Sequence, residues 1–327
     1  MKTSYFSRYV ACATILGVVF FTRTNVSAQT GRTATKQPNA PRVDTNTTKA
    51  QLLALDAALA HQLETVGPQA LIAILEPNAA VLMVEQPILR GPEQARIPLL
   101  KRYAAPSKYT WHAMHAVANT DGSFGCTVGI IRFTNAADSI PKEKGGMYEA
   151  CWRRNTDGQW RIAGLQSQDD VGPAPGLLYL VGKPLLKAPH SSTVSRSGDA
   201  LQQSLETDTQ FASMAALPEG PGPAFVKFAA TDAISLIAPD SARGHAEIAR
   251  LFAGLERKFA LLWNPDRSFG AGGGGLAFTV GRSVRIPIQG QQNPERHGKF
   301  LTIWRQNDDG TWSWIFDLGS LRRWQPN

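Results

Sequence analysis

The chain has 327 residues, 43% hydrophobic and 18% charged, which is the composition of a globular protein with room for two cores of ordinary size. Its net charge of +8 comes from scattered basic residues with no long Lys/Arg run interleaved with aromatics, so the electrostatic footprint of a nucleic-acid binder is missing. Arg322-Arg323 reads as a solvated end rather than a phosphate contact.

Residues 1–28 form the first segment. Lys2 and Arg8 supply a positive start, Val10 to Phe21 is a short apolar run, and Val26-Ser27-Ala28 offers a small-residue cleavage site before Gln29. The run falls short of the roughly 20 residues that span a bilayer. It therefore reads as a cleaved signal peptide in preference to an uncleaved anchor. The mature chain is expected to be periplasmic or secreted, without stable membrane insertion. Cys12 opens the apolar run instead of closing it, so no lipid anchor is read. Cleavage removes Lys2, Arg8 and Arg23 and no acid, leaving a net charge of +5. Residues 29–48, rich in Thr, Pro, Asn and Lys with Val43 as their one large apolar residue, read as a disordered spacer.

A first domain is expected over 49–168. A helix from about Lys49 to Val66 places Leu52, Leu55, Leu59 and Leu63 on one face, with Asp56 among them. A short helix, a strand and another helix follow, then three strands at 122–133, 147–154 and 159–165. Asn155-Thr156-Asp157-Gly158 is turn chemistry between the last two.

Residues 169–198 are rich in Pro, Gly and Ser, yet Leu177 to Val181 with Leu185 and Leu186 form an apolar cluster. The segment reads as a strap packed on a domain, with a freely moving linker as the alternative.

Beyond it the first domain recurs over 199–322. Trp111, Gly129, Trp152, Asp157, Gly158 and Trp160 return 152 residues later as Trp263, Gly281, Trp304, Asp309, Gly310 and Trp312. Arg90-Gly91 returns as Arg243-Gly244. A period this long belongs to self-sufficient domains, not to stacked solenoid units. The helix stripe here is Leu201, Leu205, Ala212 and Ala215, again with an acid, Asp208, inside it. The fold class is thus α+β: two tandem domains, each a curved antiparallel sheet wrapped around an N-terminal helix.

The second copy also carries a family resemblance. Gly298 to Arg305, Asp309-Gly310-Thr311-Trp312 and Trp314 to Asp317 resemble the ending of SnoaL-like domains of the nuclear transport factor 2-like superfamily. Upstream, Phe228 to Ala233, Arg243-Gly244 with Ile248, Trp263-Asn264-Pro265 and Leu276 to Gly281 are similar to its bacterial branch of unassigned function, in the same order. The resemblance covers about 200–320, and 50–167 more weakly. It implies a cone-shaped domain with a pocket between sheet and helices. Such domains include isomerases, dehydratases, polyketide cyclases and non-catalytic binding modules, so the fold does not choose a function.

The candidate chemistry rests on a few residues. Asp56 and Asp208 sit on apolar helix faces, where an ionised carboxylate is costly unless bonded. Either could have a raised pKa suited to acid–base work. The alternative is that each accepts bonds from an indole or an Arg and fixes the helix to the sheet. Asp317 is a second carboxylate near the expected pocket, with Leu165 as its first-copy counterpart. Isomerases of this resemblance use a carboxylate near the end of the first strand. There the first copy has Val84-Glu85-Gln86 and the second the apolar Ile237-Ala238-Pro239, so Glu85 is a candidate and neither copy holds both groups.

Trp111, Trp152, Trp263 and Trp304 are expected to pack the cores and to make an aromatic pocket lining plausible. No cofactor is expected. His112 and His115 have an odd spacing on a strand, which points them to opposite faces, while His245 and His297 lack ligand partners at recognisable spacing, so no metal is expected either. Gly270, Gly272 and Gly275 fit a dinucleotide spacing, but a strand follows them where a helix is needed. Cys126 and Cys151 fall nearly opposite on consecutive strands, so a disulfide is expected, with two buried thiols standing where the other copy has Phe278 and Ile303 as the alternative.

These readings favour an exported tandem protein that binds a small apolar molecule or a protein partner through its cone pockets. The two domains would form an intramolecular pair. The alternative is an isomerase, dehydratase or hydrolase using Asp208 and Asp317.

Overall fold

The computed structural model describes residues 44–103, 108–134, 143–168, 197–236, 241–255, 259–270, 275–288 and 295–320. Residues 1–28, read above as a signal peptide, most of the expected spacer and the apolar cluster of 177–186 lie outside the described residues.

The first copy runs α1 (Thr45–Thr65), α2 (Gln69–Ala73), β1 (Leu75–Leu82), β2 (Ile88–Arg90), α3 (Gly91–Arg102), β3 (Lys108–Ala118), β4 (Phe124–Thr134), β5 (Glu143–Arg154) and β6 (Trp160–Gln168). The second repeats it as α4 (Ser197–Ala215), α5 (Pro221–Phe228), β7 (Ala229–Ser235), β8 (Ala242–Arg243), α6 (Gly244–Leu255), β9 (Phe259–Gly270), β10 (Leu276–Pro287), β11 (Arg296–Gln306) and β12 (Trp312–Ser320). Each copy makes one six-stranded sheet, in the orders β2-β1-β6-β5-β4-β3 and β8-β7-β12-β11-β10-β9.

Three expectations are corrected. The sheets are mixed, because β1 runs parallel to β6 and β7 parallel to β12, and the long segment between them, one helix and four strands in each copy, supplies the connection a parallel pair needs. Each copy also has a long strand before the expected three, β3 or β9, and a short edge strand, β2 or β8. Finally, α1 begins at Thr45, inside the expected spacer, because Asp44 caps it by accepting the Asn46 N–H at 3.0 Å.

The recurring Arg-Gly pair has a physical cause. Gly91 and Gly244 begin α3 and α6 at φ 65° and 69°, and a Cβ on Gly91 would lie 2.0 Å from the Pro77 carbonyl oxygen. Only glycine fits such a position. The preceding Arg N–H is capped in the same way in both copies, by Gln94 at 2.8 Å and by Glu247 at 2.9 Å.

Residues alternate between the two faces of each sheet. One face packs on the copy's own helices. The other faces the second sheet, and both copies belong to one compact unit, Ala40–Asn327. Phe124 stacks on Phe278 at 6.1 Å, the Gln166 amide donates to the Leu318 carbonyl at 2.8 Å, and Arg153 donates to the Gly270 carbonyl at 3.2 Å. Leu82, Val117, Cys126, Val128 and Cys151 of the first copy join the hydrophobic cluster of the second. Cys126 and Cys151 stand directly opposite each other on β4 and β5, with Cα atoms 4.1 Å apart, and are joined by a disulfide. Closing such a loop stabilises by roughly 3 kcal/mol in the chain-entropy model.

Candidate ligand pocket in the second copy

Both helix acids are buried, and each anchors its helix to the sheet. Asp56 accepts bonds from the Trp111 indole at 2.9 Å, the Thr127 hydroxyl at 2.6 Å and the Tyr148 hydroxyl at 2.7 Å. Trp152 in turn donates to Thr127 at 3.0 Å. Asp208 repeats this with Trp263 at 3.0 Å and Thr279 at 2.6 Å, and Trp304 donates to Thr279 at 2.8 Å. The third donor has no equivalent, because Phe300 stands where the first copy has Tyr148.

That difference belongs to a larger one. A pocket in the second copy, with about 470 Å³ of space when its open mouth is included, is lined by Phe211, Phe225, Leu261, Trp263, Ser283, Arg285, Phe300, Thr302, Asp317 and Gly319. Its polar wall residues Ser283, Arg285, Thr302 and Asp317 replace Ile131, Phe133, Ala150 and Leu165 at the same repeat positions. In the first copy Tyr148 is buried, packs on Trp111 with ring centroids 3.9 Å apart, and turns its hydroxyl to Asp56.

The two candidate acids of the second copy occupy different places. Asp317, on β12, lies on the pocket wall, and its Oδ1 accepts the Thr302 hydroxyl at 2.7 Å. Burial pushes its pKa up to about 6, against the Thr302 bond. Asp208 is not part of the lining. Burial pushes its pKa up to about 7, with the bonds from Thr279 and Trp263 opposing and the Asp317 charge adding to the rise. Burial likewise raises Asp56. An Asp208→Ala variant is expected to lose roughly 1 to 3 kcal/mol of stability, because Trp263 and Thr279 would be left as unpaired buried donors. Chemical denaturation measures this, and unchanged stability would remove the anchoring role.

The remaining expected site residues fall elsewhere. Glu85 is exposed in the turn after β1 at φ 60° and is not among the residues lining this pocket. Of the expected pocket residues only Trp263 is on the wall; Asp56, Trp111, Trp152 and Trp304 are tied into the two buried networks. A register shift between Ala113 and His115 cancels the odd spacing and puts His112 and His115 on the same sheet face, His112 exposed and His115 buried near Phe316. His297 pairs with Glu295 at 2.9 Å and His245 meets the Ala229 carbonyl at 3.0 Å. Among the described residues no three His, Cys, Asp or Glu side chains gather in a way that could hold a metal ion. No described helix is long and apolar enough to cross a membrane.

Sequence reasoning missed Phe211, Ser283, Arg285, Thr302 and Gly319. For Ser283, Arg285 and Thr302 the signal was available in the repeat itself, as positions that are polar here and apolar in the first copy.

No family model matches the chain, and no curated protein matches it. Solved structures similar to it are nuclear transport factor 2-like and ketosteroid isomerase-like proteins, each matching only part of the chain. A nuclear transport factor 2-like superfamily protein from Salmonella enterica is 13% identical over 40% of this chain and 96% of its own, at a TM-score of 0.32. A ketosteroid isomerase-like protein from Erwinia carotovora atroseptica is 13% identical over 38% of this chain and 98% of its own, at 0.33. Nuclear transport factor 2 from Cryptosporidium parvum is 12% identical over 40% of this chain and 100% of its own, at 0.32.

Proposed function

We propose that this protein binds one small, largely apolar molecule in the second cone, and that the first copy is its closed structural partner in an intramolecular pair of sheets. Residues 1–28 support export, so the binding would take place outside the cytoplasm. The observation that carries the reading is the set of four polar residues on the pocket wall, Ser283, Arg285, Thr302 and Asp317, where the first copy has apolar ones. Thr302 and Asp317 bond each other, whereas Ser283 and Arg285 are half-buried polar groups, which cost free energy when shielded from water unless bonded. A ligand site needs a few such groups on an aromatic wall.

A second reading, proton transfer in an isomerase, dehydratase or hydrolase, is favoured by one observation. Asp317 Oδ2 has no protein donor among the described residues, and a carboxyl with a pKa of about 6 can serve as acid or base near neutral pH. An Asp208–Asp317 pair is not supported, because Asp208 is not among the residues lining the pocket and two donors already engage it. Asp317 would act alone.

The test is a fluorescence titration with the neutral probe N-phenyl-1-naphthylamine, with energy transfer from tryptophan as the signal. One site per chain is expected, abolished by Gly319→Leu, since a Cβ at Gly319 meets open space on the pocket wall. Two equivalent sites, or none, would overturn the reading.

A further inference from the structure

We propose that the occupant of the second cone is an amphiphilic carboxylate, an apolar body ending in one anionic group held by the Arg285 guanidinium at the pocket rim. This rests on the pocket reading above and adds the charge and orientation of the ligand.

Arg285 is on the pocket wall near the end of β10, with its guanidinium carbon 4.4 Å from the centre of the Phe259 ring. The ring fixes the plane of the guanidinium and leaves its edge for another partner. Its Nε is buried with no hydrogen-bond partner, and among the described residues no carboxylate forms an ion pair with it. Directly across the strand pair stands Arg296, on the same face. Two like charges in that register repel each other. Burial and Arg296 lower the pKa of Arg285 to about 10, so it remains protonated at neutral pH.

A half-buried guanidinium with an unpartnered buried Nε, across from a second and exposed cation, is costly unless an anion completes the site. The planar fork matches a carboxylate through two parallel N–H···O bonds. The register also sets the orientation. Arg285 and Arg296 pair near the ends of β10 and β11, whereas Asp317 pairs with Thr302 in the middle of β11. The anionic head therefore sits at the rim. The apolar body runs inward past Phe300 and Trp263 towards Asp317.

Isothermal titration of the full chain with decanoate and with decan-1-ol tests this, using wild type and the Arg285→Gln and Arg285→Lys variants. Wild type is expected to bind the acid roughly 10- to 100-fold more tightly than the alcohol, the range of a charge-assisted bond. Arg285→Gln should remove that preference while keeping alcohol binding, and Arg285→Lys should retain part of it. Equal binding of acid and alcohol by wild type, or a preference unchanged in Arg285→Gln, would overturn the assignment of charge and leave the pocket reading standing. Binding of neither probe would overturn both.

Discussion

A Glu149→Leu variant is expected to be more stable than the wild type at pH 8, by roughly 1 to 4 kcal/mol, the range for replacing buried charge with packed hydrocarbon. Glu149 lies on β5 in the face between the sheets, with Val128 and Gln166 as its cross-strand neighbours. It is 0% exposed, and neither carboxylate oxygen has a hydrogen-bond partner. Its counterpart in the second copy is Leu301, so a leucine there has a precedent in the same chain.

Burial, and after it the Asp317 charge, pushes the Glu149 pKa well above its ordinary value of 4.5. A carboxyl with a raised folded pKa contributes stability that is complete below its unfolded pKa and is lost as pH rises through the folded one. Asp317 at about 6 and Asp208 at about 7 act in the same direction. The shift of Asp208 from 3.8 to about 7 alone corresponds to about 4 kcal/mol. Wild-type stability should therefore fall between about pH 4 and pH 7, and Glu149→Leu should flatten that fall. Thermal melts at pH 5 and pH 8 measure both effects. A variant less stable than wild type at pH 8 would mean that Glu149 is compensated in the folded protein.

The second large effect is at Gly164, on β6. A Cβ there would lie 2.5 Å and 2.6 Å from two ring carbons of Phe278 in the facing sheet. That ring is held between Phe124 at 6.1 Å and Phe269 at 4.7 Å, both nearly parallel to it. With neighbours on both faces it cannot turn aside, so Gly164→Val must separate the sheets locally. The expected loss is roughly 1 to 3 kcal/mol, the range for overpacked cores. Gly164→Val combined with Phe278→Leu should recover part of it. Denaturation midpoints for the single and double variants form the check, and an unchanged midpoint for Gly164→Val would mean the sheets are not locked there.

Much of the architecture was legible in the sequence because the repeat doubles the evidence for each element. Trp111 and Trp263, or Asp56 and Asp208, each appear twice in the same setting and make the same bond. The parallel pairing of β1 with β6 was not legible, since it depends on which strand reaches which edge after a crossover, and strand periodicity is silent on that. The β3 bulge was hidden for a similar reason. A register shift between Ala113 and His115 exchanges faces without altering composition.

At the site, Asp317 stood out as a carboxylate on a closing strand. Arg285 did not, because one arginine in the alternating stretch Val284-Arg285-Ile286 resembles a solvent-facing position on a half-buried strand. Glu149 was masked in the same way within Tyr148-Glu149-Ala150. Its outward face became an inner one only when the second sheet covered it.

The central proposal is asymmetry, a ligand bound in the second cone while Tyr148, tied to Asp56, fills the corresponding space of the first. Hydrogen–deuterium exchange of the full chain with and without saturating N-phenyl-1-naphthylamine tests it most directly. Protection is expected in β9 to β12 and the facing helices α4 and α5, with β3 to β6 unchanged. Equal protection of both copies, or protection of neither, would contradict the account.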